Sequence, residues 1–214
     1  QCTASYNNGC NKQGTPDLII NPIRSGGIDT KDTFSFKYGT VEIRAKMPSG
    51  DWLWPAIFMR PKENVYGGYP LSGGIYNVLS RGNRALYNGN TQVGNQQVQL
   101  RVTFGPTSKL TNPFGSFRQN QASGFDSDFR VYKLVWTPTY IQFFIDNVLV
   151  GTLNAGTGLW NQGGFASSGL PNTWVRGALI APFDQEFYLI INTSVGGTSG
   201  FADYYRNGNG QKPW

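Results

Sequence analysis

The chain has no histidine in 214 residues. That absence removes Ser-His and Cys-His nucleophilic systems, together with zinc sites built on imidazole. Two cysteines are too few for a four-cysteine metal site. Acids are scarce as well: Asp and Glu together number 12 against 18 Lys and Arg, which leaves a formal charge of +6. Charged residues make up only 14% of the chain, below the roughly 25% usual in soluble proteins. The basic residues are scattered, with no run like an arginine-rich arm, so nucleic acid is not an expected partner. No stretch approaches the roughly 18–20 apolar residues of a membrane-spanning helix. Helical periodicity is nearly absent, and only 158–164 reads as a helical turn.

What is present is strand. Residues 34–38 alternate, and in 40–47 Val41, Ile43, Ala45 and Met47 face one way while Glu42, Arg44 and Lys46 face the other. Residues 98–104 alternate likewise. Residues 131–136 and 140–145 read as a strand pair joined at Thr137-Pro138-Thr139, and Asp146-Asn147 turns the chain into 148–153. The continuous apolar run 187–191 reads as a central strand. With 28 Gly and 12 Pro to make tight turns, the pattern predicts an all-β, two-sheet sandwich forming a single domain over 1–214.

Cys2 and Cys10 close a short polar loop and suggest a disulfide and a secreted protein, with two free thiols as the alternative. The one glycosylation sequon, Asn192-Thr193-Ser194, falls inside an apolar strand pattern that argues against its use.

Residues 72–83 read Ser-Gly-Gly-Ile-Tyr-Asn-Val-Leu-Ser-Arg-Gly-Asn. The stretch resembles the catalytic strand of the laminarinase-like β-glucanases, glycoside hydrolase family 16, which runs Ser-Gly-Glu-Ile-Asp-Ile-Val-Glu-Ser-Arg-Gly-Asn. Every carboxylate is replaced: Gly74, Tyr76 and Leu79 stand where the enzymes carry Glu, Asp and Glu. Further matches spread over most of the chain, including Gly50-Asp-Trp-Leu-Trp-Pro-Ala-Ile57, Val65-Tyr-Gly-Gly68, Ala181-Pro-Phe-Asp-Gln-Glu-Phe-Tyr188 and Lys212-Pro-Trp214. They point to the invertebrate β-1,3-glucan-binding branch, whose members carry a similar Cys-Thr…Cys loop. The resemblance implies a concanavalin-like jelly-roll β-sandwich of two curved antiparallel sheets, one of them shaped into a glycan cleft. It also implies that a bulge brings position 79 onto the face of 74 and 76. Departures are informative: Thr103 replaces an enzyme His, Phe58 and Tyr69 replace Trp, and the family's first and last strands are absent from 1–214. Unpaired edges of that kind invite self-association or a partner chain that completes the sheets.

Retaining glycosidases need two carboxyl groups about 5–5.5 Å apart. Gly74 has no side chain and makes room, Tyr76 is a weak base, and Leu79 is apolar; the two larger residues add bulk to the old subsite. Asp184 and Glu186 share an i, i+2 spacing, but the resemblance places them away from the catalytic row. Asp126 and Asp128 fall in a Ser/Gly-rich loop and are expected to be solvated. The expected sugar-contacting residues are Tyr69, Tyr76, Trp54, Arg81, Asn83 and Arg44; for Trp54 a core role competes, and for Arg44 an ion pair across its sheet competes. Trp136 reads as core. No cofactor is required by the residues, although the resemblance implies that relatives often hold a structural calcium. The expected function is non-catalytic, secreted recognition of β-1,3-glucan in innate defence. The alternative is a self-assembling extracellular structural protein with a filled cleft.

Overall fold

The computed structural model describes Pro16 and residues 25–112, 114–197 and 199–212. Cys2 and Cys10 lie outside the described residues. The chain forms β1 (Gly26–Asp29), β2 (Gly39–Ala45), β3 (Leu53–Pro61), β4 (Gly74–Ser80), β5 (Leu86–Asn88), β6 (Thr91–Gln92) and β7 (Gln97–Thr103). These are followed by β8 (Ser116–Asn120), β9 (Arg130–Trp136), β10 (Tyr140–Ile145), β11 (Val148–Asn154), α1 (Leu159–Gln162), a 3-10 turn at Phe165–Ser168, β12 (Phe187–Val195) and β13 (Arg206–Asn207). An antiparallel six-stranded sheet in the order β1-β12-β3-β4-β7-β8 faces a four-stranded sheet in the order β11-β10-β9-β2. A small sheet, β13-β5-β6, sits at one end. The expected sandwich is therefore present.

The alternation read in the sequence is the cause. On β7, Val98, Leu100 and Val102 are buried, while Gln99, Arg101 and Thr103 point outward. On β9 the inward residues are Tyr132, Leu134 and Trp136, and on β10 Ile141, Phe143 and Ile145. Together with Ile57, Met59, Ile75 and Val78 they form one core between the sheets. Trp136 is held there by an Nε1 hydrogen bond to the Phe183 carbonyl at 3.0 Å. The same core continues through an aromatic group in which Phe104 is edge-on to Phe114, Phe165, Trp174 and Phe183.

The β10–β11 turn uses Asp146 and Asn147, both at positive φ (49° and 65°), the backbone a two-residue hairpin turn requires. The run at 34–38 does not become a strand; only Phe36 bridges, to Phe187. Asn192 lies mid-strand in β12 between Gly27 and Ala56, with its Oδ1 buried.

Two glycines hold β4 in place. Gly73 enters it at φ 77°, and a Cβ there would stand 2.7 Å from the Phe183 ring. Beyond its other end, a Cβ on Gly82 would come within 2.5 Å of the Gly50 carbonyl oxygen. Gly82 and Gly50 are in turn joined by a backbone hydrogen bond of 3.0 Å.

Candidate functional site

β4 runs through the middle of the six-stranded sheet, so both its edges are paired, to β3 and to β7. Phe58 pairs with Tyr76 and Ile57 with Val78, which leaves Asn77 as an extra residue, a β-bulge. The pairing with β7 slips at the same place, from Tyr76–Arg101 to Leu79–Gln99. The bulge sends Val78 into the core with Ile75 and returns Leu79 to the face of Gly74 and Tyr76. Asn77 turns inward, where its Nδ2 donates to the Tyr132 carbonyl at 3.3 Å. Positions 74, 76 and 79 therefore share the outer face of the sheet.

That face carries its own small apolar cluster, Ala56, Tyr76 and Leu79 packed with Trp54 and Phe58, separate from the main core. Tyr76 and Phe58 stack at 5.4 Å. The room expected over Gly74 is not open. Arg60 of β3 fills it, and a Cβ on Gly74 would stand 2.5 Å from Arg60 Nη1. Arg60 Nη2 donates to Tyr76 Oη at 2.6 Å, and its guanidinium lies 4.2 Å from the Tyr69 ring centroid. Arg101 stacks on Tyr76 at 4.7 Å. This correction follows from register: removing a side chain from β4 exposes whatever the paired strand presents beside it.

Two hollows lie near this cluster, and Arg101 lines both. One, of about 260 Å³, is lined by Trp54, Leu79, Ser80, Arg81, Gln97, Gln99, Arg101 and Ser199. The other, of about 290 Å³, includes Tyr69, Arg101, Thr103, Ser108, Thr111, Asn112 and Ser116. Neither is lined by an Asp or Glu. Burial, the largest influence, pushes the Tyr76 phenol above its usual pKa, and Arg60 pulls the other way without reversing it. Tyr76 is thus a neutral donor and stacking surface at neutral pH.

The remaining candidates divide. Trp54 is half-buried, lines the first hollow and packs against Gly200. Arg81 also lines that hollow, but its guanidinium is committed to the Gly200 and Val93 carbonyls and stacks on Tyr205; burial lowers its pKa. Tyr69 is 49% exposed and edges the second hollow. Asn83 is not at the surface. It is fully buried, accepts from the Trp52 N–H at 3.0 Å and donates to Asn207 at 3.3 Å, which ties β4's exit to the end sheet. Arg44 is on β2 in the opposite sheet, stacked on Phe129 at 4.3 Å, and the structure does not bring it to the groove. The ion pair on its strand is instead Glu42–Lys133, at 3.9 Å.

The spare acids are occupied elsewhere. Asp184 accepts from Tyr66 Oη at 2.9 Å and from the Ala178 N–H at 2.8 Å, and Glu186 accepts from Ser35 Oγ at 2.7 Å. Both precede β12 and share no strand face. Asp126 is not solvated as expected. Its side chain is only 7% exposed, bonded to Asn95 at 2.7 Å and to Arg84 at 3.1 Å. Among the described residues no three His, Cys, Asp or Glu gather as a metal site.

Sequence reasoning missed Arg60, Arg101, Arg118 and Gln99. The alternation of 98–104 showed that Gln99 and Arg101 point outward, but only pairing places them in the groove.

No protein-family model matches the chain. It is 41% identical over 219 residues to a β-1,3-glucan-binding protein of Penaeus monodon, covering all of this chain and 57% of that protein. It is 32% identical over 225 residues to Gram-negative bacteria-binding protein 1 of Drosophila melanogaster, covering all of this chain and 43% of that one. The chain thus spans about half the length of these relatives. The laminarinase of Rhodothermus marinus superposes with a TM-score of 0.61 at 28% identity, covering 81% of this chain and 61% of its own. By sequence the chain groups with the invertebrate β-1,3-glucan-binding proteins, and by fold with the family 16 laminarinases.

Proposed function

We propose that the groove holds a β-1,3-glucan or a related polysaccharide without cutting it, as part of a secreted recognition protein. The observation that carries this reading is the groove floor: the three positions that a retaining glucanase fills with acids share one face, and they are Gly74, Tyr76 and Leu79. With no carboxylate lining either hollow, there is neither an attacking oxygen nor a proton donor of suitable pKa. What the groove offers is a half-exposed Tyr69, a Trp54 wall, amides and hydroxyls, the chemistry that stacks on and hydrogen-bonds to sugar rings. Arg101 lines both hollows, so a chain lying along the groove would be gripped on either side of it.

The test is calorimetric titration with laminari-oligosaccharides, paired with curdlan pull-down and a reducing-end assay. Saturable binding without product is expected. No binding at millimolar sugar defeats recognition; if the chain also sediments as a defined oligomer, the structural alternative gains. Measurable hydrolysis that is lost on Asp184→Asn or Glu186→Gln defeats the non-catalytic reading.

A further inference from the structure

The six-stranded sheet gathers four arginines on its groove face: Arg60 on β3, Arg101 on β7, Arg118 on β8, and Arg81 just beyond β4. The ion pairs formed among the described residues involve Arg84, Arg130, Lys133 and Lys212, and none involves a groove arginine. Gathering cations without counter-charges is unfavourable, and here it is compounded by desolvation. Arg60 Nη1 and Arg101 Nε are both buried with no hydrogen-bond acceptor. Arg101 and Arg118 each add to the lowering of the Arg81 pKa, after burial and against Tyr205, which places the three within each other's field. Arg101 is central. It lines both hollows, and Tyr76 beneath holds its guanidinium plane without supplying an anion. Arg118 is steadied by the Gln99 side-chain oxygen at 3.0 Å from Nη2, with the amide turned to face it.

We propose that the groove selects an anionic glycan, with a sulfate ester or a carboxylate of one sugar residue seated against Arg101 between the two hollows. This rests on the reading of the groove as a polysaccharide site and narrows its ligand. An enzyme with three acids on this floor would repel such a residue. Replacing them by Gly74, Tyr76 and Leu79 while presenting arginines from the neighbouring strands reverses the field, so the change that removes catalysis also changes the preferred ligand.

The test compares three ligands of matched length on the whole chain: a neutral laminari-oligosaccharide, its sulfated form and an oligo-uronate. Each is titrated at about 50 and about 500 mM salt. The expected result is at least one anionic ligand binding about tenfold tighter than the neutral one at low salt, the advantage shrinking at high salt. Arg101→Gln should abolish that advantage, read as the ratio of anionic to neutral affinity in the same variant. Arg176→Gln, which removes an exposed charge outside both hollows, should keep it. Whichever anionic arm responds identifies sulfate or carboxylate as the source. Neutral and anionic ligands binding alike, or Arg176→Gln weakening binding as much as Arg101→Gln, overturns the proposal while leaving glycan recognition standing. No binding of any of the three removes both. Circular dichroism of each variant separates lost binding from lost fold.

Discussion

The two faces of β4 are buried to nearly the same extent by quite different means. On the inner face Ile75 and Val78 meet the opposite sheet in a continuous apolar core. On the outer face Tyr76 and Leu79 are 8% and 5% exposed, but what covers them is a small cluster, the stacked guanidinium groups of Arg60 and Arg101, and Tyr69. The inner face is closed by the second layer of the sandwich. The outer face has no second layer and must cover itself from its own strands. The long side chains that lie over Tyr76 on this face are cationic, Arg60 and Arg101.

The largest test of that contrast is truncation on either side of the same strand. Ile75→Ala leaves a cavity that neighbouring layers cannot fill and should cost about 2–5 kcal/mol in urea unfolding. Leu79→Ala opens onto a hollow that water enters and should cost clearly less. Equal costs would mean that the outer cluster is as rigid as the core.

Next comes Arg60→Ala. It removes the hydrogen bond to Tyr76 and the stacking on Tyr69 and should destabilise by about 1–2 kcal/mol. The loss is moderated because Nη1 already lacks an acceptor. It also opens the space over Gly74, so affinity for neutral laminari-oligosaccharides should rise as stability falls. If both fall together, Arg60 is part of the sugar site rather than a plug.

Trp54→Ala should weaken oligosaccharide binding by about 1 kcal/mol, roughly five- to tenfold, through loss of a stacking wall. Unchanged affinity would assign Trp54 to packing alone.

The smallest effect belongs to the opposite sheet. Burial acts to raise the Asp146 pKa, but the Val131 N–H and the Arg130 guanidinium outweigh it and hold the carboxyl below its ordinary value. A carboxyl whose pKa is depressed on folding contributes stability above its unfolded pKa, near 4, and loses it as pH falls through the folded value. Asp146→Asn should therefore narrow the gap between neutral and acid stability slightly, read as a flatter melting temperature below pH 4. It should leave glycan binding unchanged, because the β10–β11 turn is remote from the groove.

Much of the fold was legible because each strand carries its own evidence. The alternation in 40–47, 98–104 and 131–136 reports one wet and one dry face without reference to any partner, and the Asp146-Asn147 turn declares itself by residue type. Residues 34–38 alternate equally well but find a partner only at Phe36, since pairing needs a neighbour as well as a pattern. The site was half legible. That positions 74, 76 and 79 carry Gly, Tyr and Leu is a local fact. Asn83 matched a motif yet turned inward, and Arg44 shared a polar face that belongs to the other sheet. Asp126 sits in a loop that looks solvated, but Asn95 and Arg84 reach it from a distant segment.

From the chain itself came the class of fold, the lack of imidazole chemistry and the identities of Gly74, Tyr76 and Leu79, because each depends on residue identity or short-range periodicity. Tertiary structure alone decided what surrounds those three positions. Arg60, Arg81, Arg101 and Arg118 are scattered along the sequence, and no spacing rule joins them. They meet because β3, β4, β7 and β8 pair in one register, shifted by a single bulged residue at Asn77, and register is a property of paired strands that no strand contains alone.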